Sequence, residues 1–85
     1  MVYYKLAQIE IWYDHCLKLW ATQFFNAHGY QMSGRDGEYE TDYTNKKSWA
    51  VAHAKKYNVK ITIENRDGTK AKTIVPIGDG KFRQQ

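Results

Sequence analysis

Three features of this sequence predict an α+β domain ordered helix, hairpin, helix, hairpin, with a four-stranded antiparallel sheet and two helices on one face. Apolar residues recur at helical spacing from Leu6 to His28, and again from Trp49 to Tyr57. Segments near 30–33, 38–43, 59–64 and 70–75 have strand character, with clean polar/apolar alternation in the second and third. Two Arg-Asp-Gly runs, Arg35-Asp36-Gly37 and Arg66-Asp67-Gly68, fall between strand segments, where hairpin turns need residues that tolerate positive φ. Helices over one face of such a sheet satisfy the layer rule for a small domain.

The first helix rests on Leu6, Ile9, Tyr13, Cys16 or Leu17, Trp20, Phe24 and Ala27, which fall on one stripe, with Gly29 as a C′ residue. A competing reading takes the alternation of Ile9, Ile11 and Tyr13 with Gln8, Glu10 and Trp12 as an extra N-terminal strand. Asp14 then caps a helix over 14–28. In the first hairpin Glu38, Glu40 and Asp42 point one way and Tyr39, Thr41 and Tyr43 the other. Thr44 or Asn45 caps a second helix near 46–57, whose apolar stripe is Trp49, Ala50, His53 and Tyr57. Val59, Ile61 and Ile63 alternate with Lys60, Thr62 and Glu64, and a last strand follows the Arg66-Asp67-Gly68 turn. Residues 1–76 form a single domain, and Pro76 with Gly78-Asp79-Gly80 opens a flexible basic tail over 77–85. A Trp followed by Arg-Asp-Gly occurs twice, at Trp20 and Trp49. Duplication of one unit and chance recurrence of a common turn both account for it.

Composition excludes several classes. The chain has 85 residues, 42% hydrophobic and 15% aromatic, enough for one core and too aromatic for a disordered chain. No 18-residue apolar run is present, so no membrane partner is expected. Cys16 is the only cysteine, and the N-terminus lacks the pattern of a secretory signal; both point to the cytoplasm. The net charge of +4 hides a polarity. Residues 1–45 hold three basic residues and six acids, net −3; residues 46–85 hold ten basic residues and three acids, net +7.

Catalytic signals are thin. His15 and Cys16 are neighbours in sequence, so on a helix they diverge by about 100°. One cysteine with His15, His28 and His53 shows no zinc spacing, and the lone Gly78-Asp79-Gly80 lacks the context of a phosphate loop. The expectation is no enzyme, no metal and no cofactor. A small hydrolase built on His53 or the acidic stripe is the least favoured reading.

Two charged surfaces are the candidate sites. Glu38, Glu40 and Asp42 with Tyr39 and Tyr43 form an acidic, tyrosine-bearing face suited to a protein partner with a basic groove. Lys46, Lys47, Lys55, Lys56, Lys60, Lys70, Lys72, Lys81 and Arg83 form a basic face suited to nucleic acid or an acidic partner. Lys46 and Lys47 open the second helix, where the dipole disfavours cations. Either an anion binds there or Glu40 and Asp42 neutralise them.

The stretch Tyr30 to Val75, with Thr44-Asn45-Lys46-Lys47-Ser48-Trp49-Ala50 and Arg66-Asp67-Gly68-Thr69, resembles small bacterial hairpin-helix-hairpin domains. It also resembles the arm-type DNA-binding domain of phage integrases, which lacks the closing hairpin. As a whole the chain resembles in type the small phage-encoded inhibitors, anti-CRISPR proteins among them. That resemblance implies a non-enzymatic binding protein, acting in the host bacterial cytoplasm, that occupies a site on a nucleic-acid-handling complex. The alternative is a direct nucleic-acid-binding module using the basic C-terminal half.

Overall fold

The structure is a computed structural model and describes residues 5–32 and 39–85. Its elements run β1 (Leu6–Asp14), β2 (Leu19–Asn26), β3 (Asp42–Thr44), α1 (Lys47–Lys55), β4 (Lys60–Glu64), β5 (Lys70–Gly78) and β6 (Lys81–Gln84). All six strands belong to one sheet in the order β3-β2-β1-β4-β5-β6. Every neighbouring pair is antiparallel except β1 and β4 at the centre, which are parallel. A parallel pair needs a crossover, and the segment carrying β3 and α1 supplies it.

The expected four-stranded antiparallel sheet with two helices is therefore corrected to a six-stranded mixed sheet with one helix. The error lies in Leu6–His28, where an antiparallel hairpin stands in place of the helix. Two residues expected at helix ends close its turns instead. Asp14 Oδ1 accepts hydrogen bonds from the amides of Cys16 (2.9 Å) and Leu17 (3.0 Å), the work of a cap, but here it tightens the β1–β2 loop. Gly29 does take a positive φ of 84°, in the turn after β2. There the Asn26 carbonyl accepts from the Gly29 amide at 3.0 Å, and Asn26 Oδ1 accepts from the His28 and Tyr30 amides.

Register explains why the strand pattern wins. Ile9 and Ile11 sit between Phe24 and Thr22 of β2 on one side and Ile61 and Ile63 of β4 on the other. All four isoleucines are fully buried. A helix over 6–28 would have placed Ile9 and Ile11 about 160° apart, losing one of them from the core. β-branched and aromatic side chains fit this half-buried pleat well.

The core occupies one face of the sheet. Ile9, Ile11, Trp20, Phe24, Ile61, Ile63 and Ile74 meet Ala50 and Ala54 of α1 and Met32 of the following loop. α1 packs across β1, β2 and β3. The molecule is 19 Å across its shortest dimension, room for the sheet and one helical layer. The stripe expected on α1 is corrected too. Ala50 and Ala54 are its buried residues, and Trp49, about 100° round the helix from Ala50, is 55% exposed.

The second hairpin forms as expected, with the Asn65 amide donating to the Thr69 carbonyl at 2.7 Å and Gly68 at φ 90°. Its second strand continues beyond the expected end at 75. Residues 81–84, expected in a mobile tail, form β6 against Ile74–Gly78, and Phe82 packs on the core. Pro76 is tolerated inside β5, where it stands opposite Phe82. The turn at Gly34-Arg35-Asp36-Gly37 and the strands expected at 30–33 and 38–43 fall wholly or partly outside the described residues. Of the expected first hairpin the structure describes a bridge between Phe25 and Gln31 and the short β3. The Trp and Arg-Asp-Gly echo does not mark a structural repeat, since Trp20 is on a strand and Trp49 on a helix.

Candidate anion-binding site

The sheet separates Asp42 from the lysines of β4 and β5. β3, at one edge, lies three strands from β4 and four from β5, about 14 and 19 Å at ~4.8 Å per strand. Asp42 therefore cannot pair across strands with Lys60, Lys70 or Lys72. Lys46, Lys47, Lys55 and Lys56 belong to α1 and its ends, which pack over β1, β2 and β3, so the polarity of the sequence does not map onto the sheet.

The residues of the acidic set are dispersed. Glu38 lies outside the described residues. Tyr39 is half-buried, with its ring 5.7 Å from Phe24 and 6.3 Å from Tyr57, so it packs on the core. Glu40 is exposed before β3. Asp42 stands opposite Thr22 on the helix-bearing face, and its carboxylate lies 4.0 Å from His53 Nε2. Tyr43 points to the other face and is 41% exposed.

The basic set divides between the two faces. Lys60, opposite Gln8, and Arg83, opposite Val75, project from the open face, while Lys70 stands directly across from Glu64. Lys81 opens β6. Lys72, opposite Ile63, projects from the helix-bearing face and there meets two lysines of α1.

Lys47, Lys55 and Lys72 line a groove between α1 and the β4–β5 hairpin, floored by Val51, Ala52 and Ile63 beside Ser48. Its volume of about 520 Å³ is in the range of ligand clefts, and it is open to solvent. Helical periodicity brings Lys47, Val51 and Lys55 to the same flank of α1. Two of the ammonium groups rest on rings: Lys47 Nζ is 5.3 Å from the centre of Trp20, and Lys55 Nζ reaches 5.7 Å from the centre of Phe82. Those contacts add cation–π attraction without neutralising the cations.

The arrangement carries no internal counter-charge. Among the described residues no carboxylate lines the groove, and His53 Nε2 lies 4.0 Å from Asp42 Oδ2 on the opposite flank of the helix. The expectation that Glu40 and Asp42 neutralise Lys46 and Lys47 finds no contact to support it. α1 also has no acid in its first turn, and its N-cap residue Lys46 makes no side-chain capping bond. Cations gathered at this end of a helix are disfavoured by a few tenths of a kcal/mol each, which a bound anion would offset.

One lining residue is not apparent from the sequence: Ile63, which the alternation reads as an ordinary strand position. For the groove as a whole the Lys47/Val51/Lys55 spacing was the available signal, because it predicts a cationic helix flank. Among the described residues no group of His, Cys, Asp and Glu has metal-binding geometry, and no helix is long and apolar enough to cross a membrane. A scan against protein-family models and searches of curated proteins and solved structures found no match to this chain.

Proposed function

We propose that this protein is a nucleic-acid-binding module that holds the phosphate backbone in the groove between α1 and the β4–β5 hairpin. The observation that carries the reading is the convergence of Lys47, Lys55 and Lys72, from two separate elements, on one groove with no carboxylate in its lining among the described residues. Like charges gathered by a fold repel one another, and a row of phosphates relieves that repulsion while releasing counterions. The apolar side chains of Val51 and Ala52 suit the sugars that accompany each phosphate.

Fluorescence anisotropy of a labelled oligonucleotide across a salt series tests this. Three phosphate contacts give a log–log salt slope of about −2 for a single strand. Replacing Lys47, Lys55 and Lys72 together by Ala should flatten that slope towards zero, whereas replacing Lys60 and Arg83 on the open face should change it little. No binding at low salt, or an unchanged slope in the triple variant, would overturn the reading.

The β3 edge favours a second reading, a protein partner with a basic groove, because Glu40, Asp42 and Tyr43 are exposed there on a three-residue edge strand. This is the inhibitor-like function that the resemblance implies. A stoichiometric complex that survives nuclease treatment and is lost in a Glu40→Lys, Asp42→Lys variant would support it.

A further inference from the structure

We infer that the site prefers single-stranded nucleic acid and that Trp49 is the residue that stacks on a base. The inference rests on the nucleic-acid reading of the groove and adds the form of the ligand. Trp49 is the most exposed tryptophan among the described residues, at 55%: Trp20 lies in the core, and Trp12 is half-buried on the open face with a 2.9 Å hydrogen bond from its Nε1 to Gln23 Oε1.

Two lysines flank the Trp49 ring, and the His53–Asp42 contact lies one turn along the helix. Lys46 Nζ sits 5.0 Å from the centre of the Trp49 ring, and Lys56 lies about two turns along the same outward side of α1. Lys47 and Lys55 lie on the groove flank, so a strand crossing the exposed turn of Ser48 and Ala52 runs from the groove lysines to the indole over about the width of one helix, ~10 Å.

A nucleotide brings one phosphate and one flat base, and this face offers ammonium groups beside one flat ring. In a duplex the base faces are already stacked on one another, leaving Trp49 nothing to stack on. An acidic peptide supplies the charge without a π-face. The open side of the sheet also carries aromatics, Trp12, Phe25 and Tyr43, but there Glu10 and Glu64 stand among the cations, so its charge does not suit a polyanion.

Dissociation constants for oligo(dT), a duplex of equal length, inorganic polyphosphate and poly-glutamate, measured with the full chain, decide the matter. Wild type is expected to bind oligo(dT) more tightly than the other three. Trp49→Ala should weaken oligo(dT) binding about tenfold and leave the duplex and polyphosphate within about twofold, as loss of one stacked base implies. Trp49→Phe should keep most of the affinity, and Tyr43→Ala, on the other face, all of it. Quenching of tryptophan emission by oligo(dT) should be lost in Trp49→Phe. Unchanged oligo(dT) affinity in Trp49→Ala, or duplex or poly-glutamate binding as tight as oligo(dT), would overturn the inference. If the lysine triple variant still loses binding, the groove reading survives that result. Failure of wild type to bind any of the four probes removes both.

Discussion

Thr22 stands opposite Ile11 and Asp42 on the helix-bearing face, fully buried, and its hydroxyl has no hydrogen-bond partner. A buried hydroxyl without a partner costs its desolvation and returns nothing. Valine has the same shape without the oxygen, so Thr22→Val should raise the free energy of unfolding by about 1 kcal/mol, read as a higher urea midpoint. Asp67 presents the opposite case. Hydrogen bonds from the Thr69 hydroxyl (2.7 Å) and amide (3.0 Å) hold its carboxyl below the ordinary value of 3.8. A group whose value is depressed in the folded state contributes stability that is present above the unfolded value and lost as pH falls through the folded one. Acid titration of wild type should therefore show a loss of stability below about pH 4 that is shallower in Asp67→Asn. Equal slopes in the two proteins would contradict this.

Elements were legible where a single periodicity was on offer. The β4–β5 hairpin could be read from alternation and an Asp-Gly turn, because β4 buries one face, whereas the stripe expected on α1 included the exposed Trp49 and missed Ala54. Leu6–His28 offered two periodicities at once. β2 is buried at Trp20, Ala21, Thr22, Phe24 and Asn26, so its alternation is blurred by an apolar run that also matches a helical stripe. The turn before it contains no glycine; Lys18 takes a φ of 58° there. An L residue pays about 1 kcal/mol for that conformation, so Lys18→Gly should stabilise the hairpin by up to this amount in thermal unfolding. On α1, the small buried pair Ala50 and Ala54 sets how closely the helix approaches the strands. Ala54→Leu should lower stability by about 1–3 kcal/mol by forcing the helix outward, and should disturb the groove with it.

At the scale of the whole molecule, the candidate site was legible as charge and not as place. The sequence shows ten basic residues in one half of the chain, but only the crossing of α1 over the sheet selects Lys47, Lys55 and Lys72 from among them. β6 changes the far edge in the same way. Phe82 packs on the core and takes the Lys55 ammonium on its ring, so removing residues 81–85 should lower the unfolding midpoint and weaken oligonucleotide binding together. A dispensable tail would leave both unchanged. The central parallel pair has a consequence in time. Ile9 and Ile11 are made early, yet their partners Ile61 and Ile63 lie in the last third of the chain. At ~5–20 residues per second the ribosome needs on the order of 2–7 s to pass from the end of β2 to the start of β4. Throughout that interval the first hairpin displays an isoleucine row beside an unpaired backbone edge, a template for another nascent chain. Fragments ending before β4 should therefore aggregate, and yield on refolding should fall as protein concentration rises.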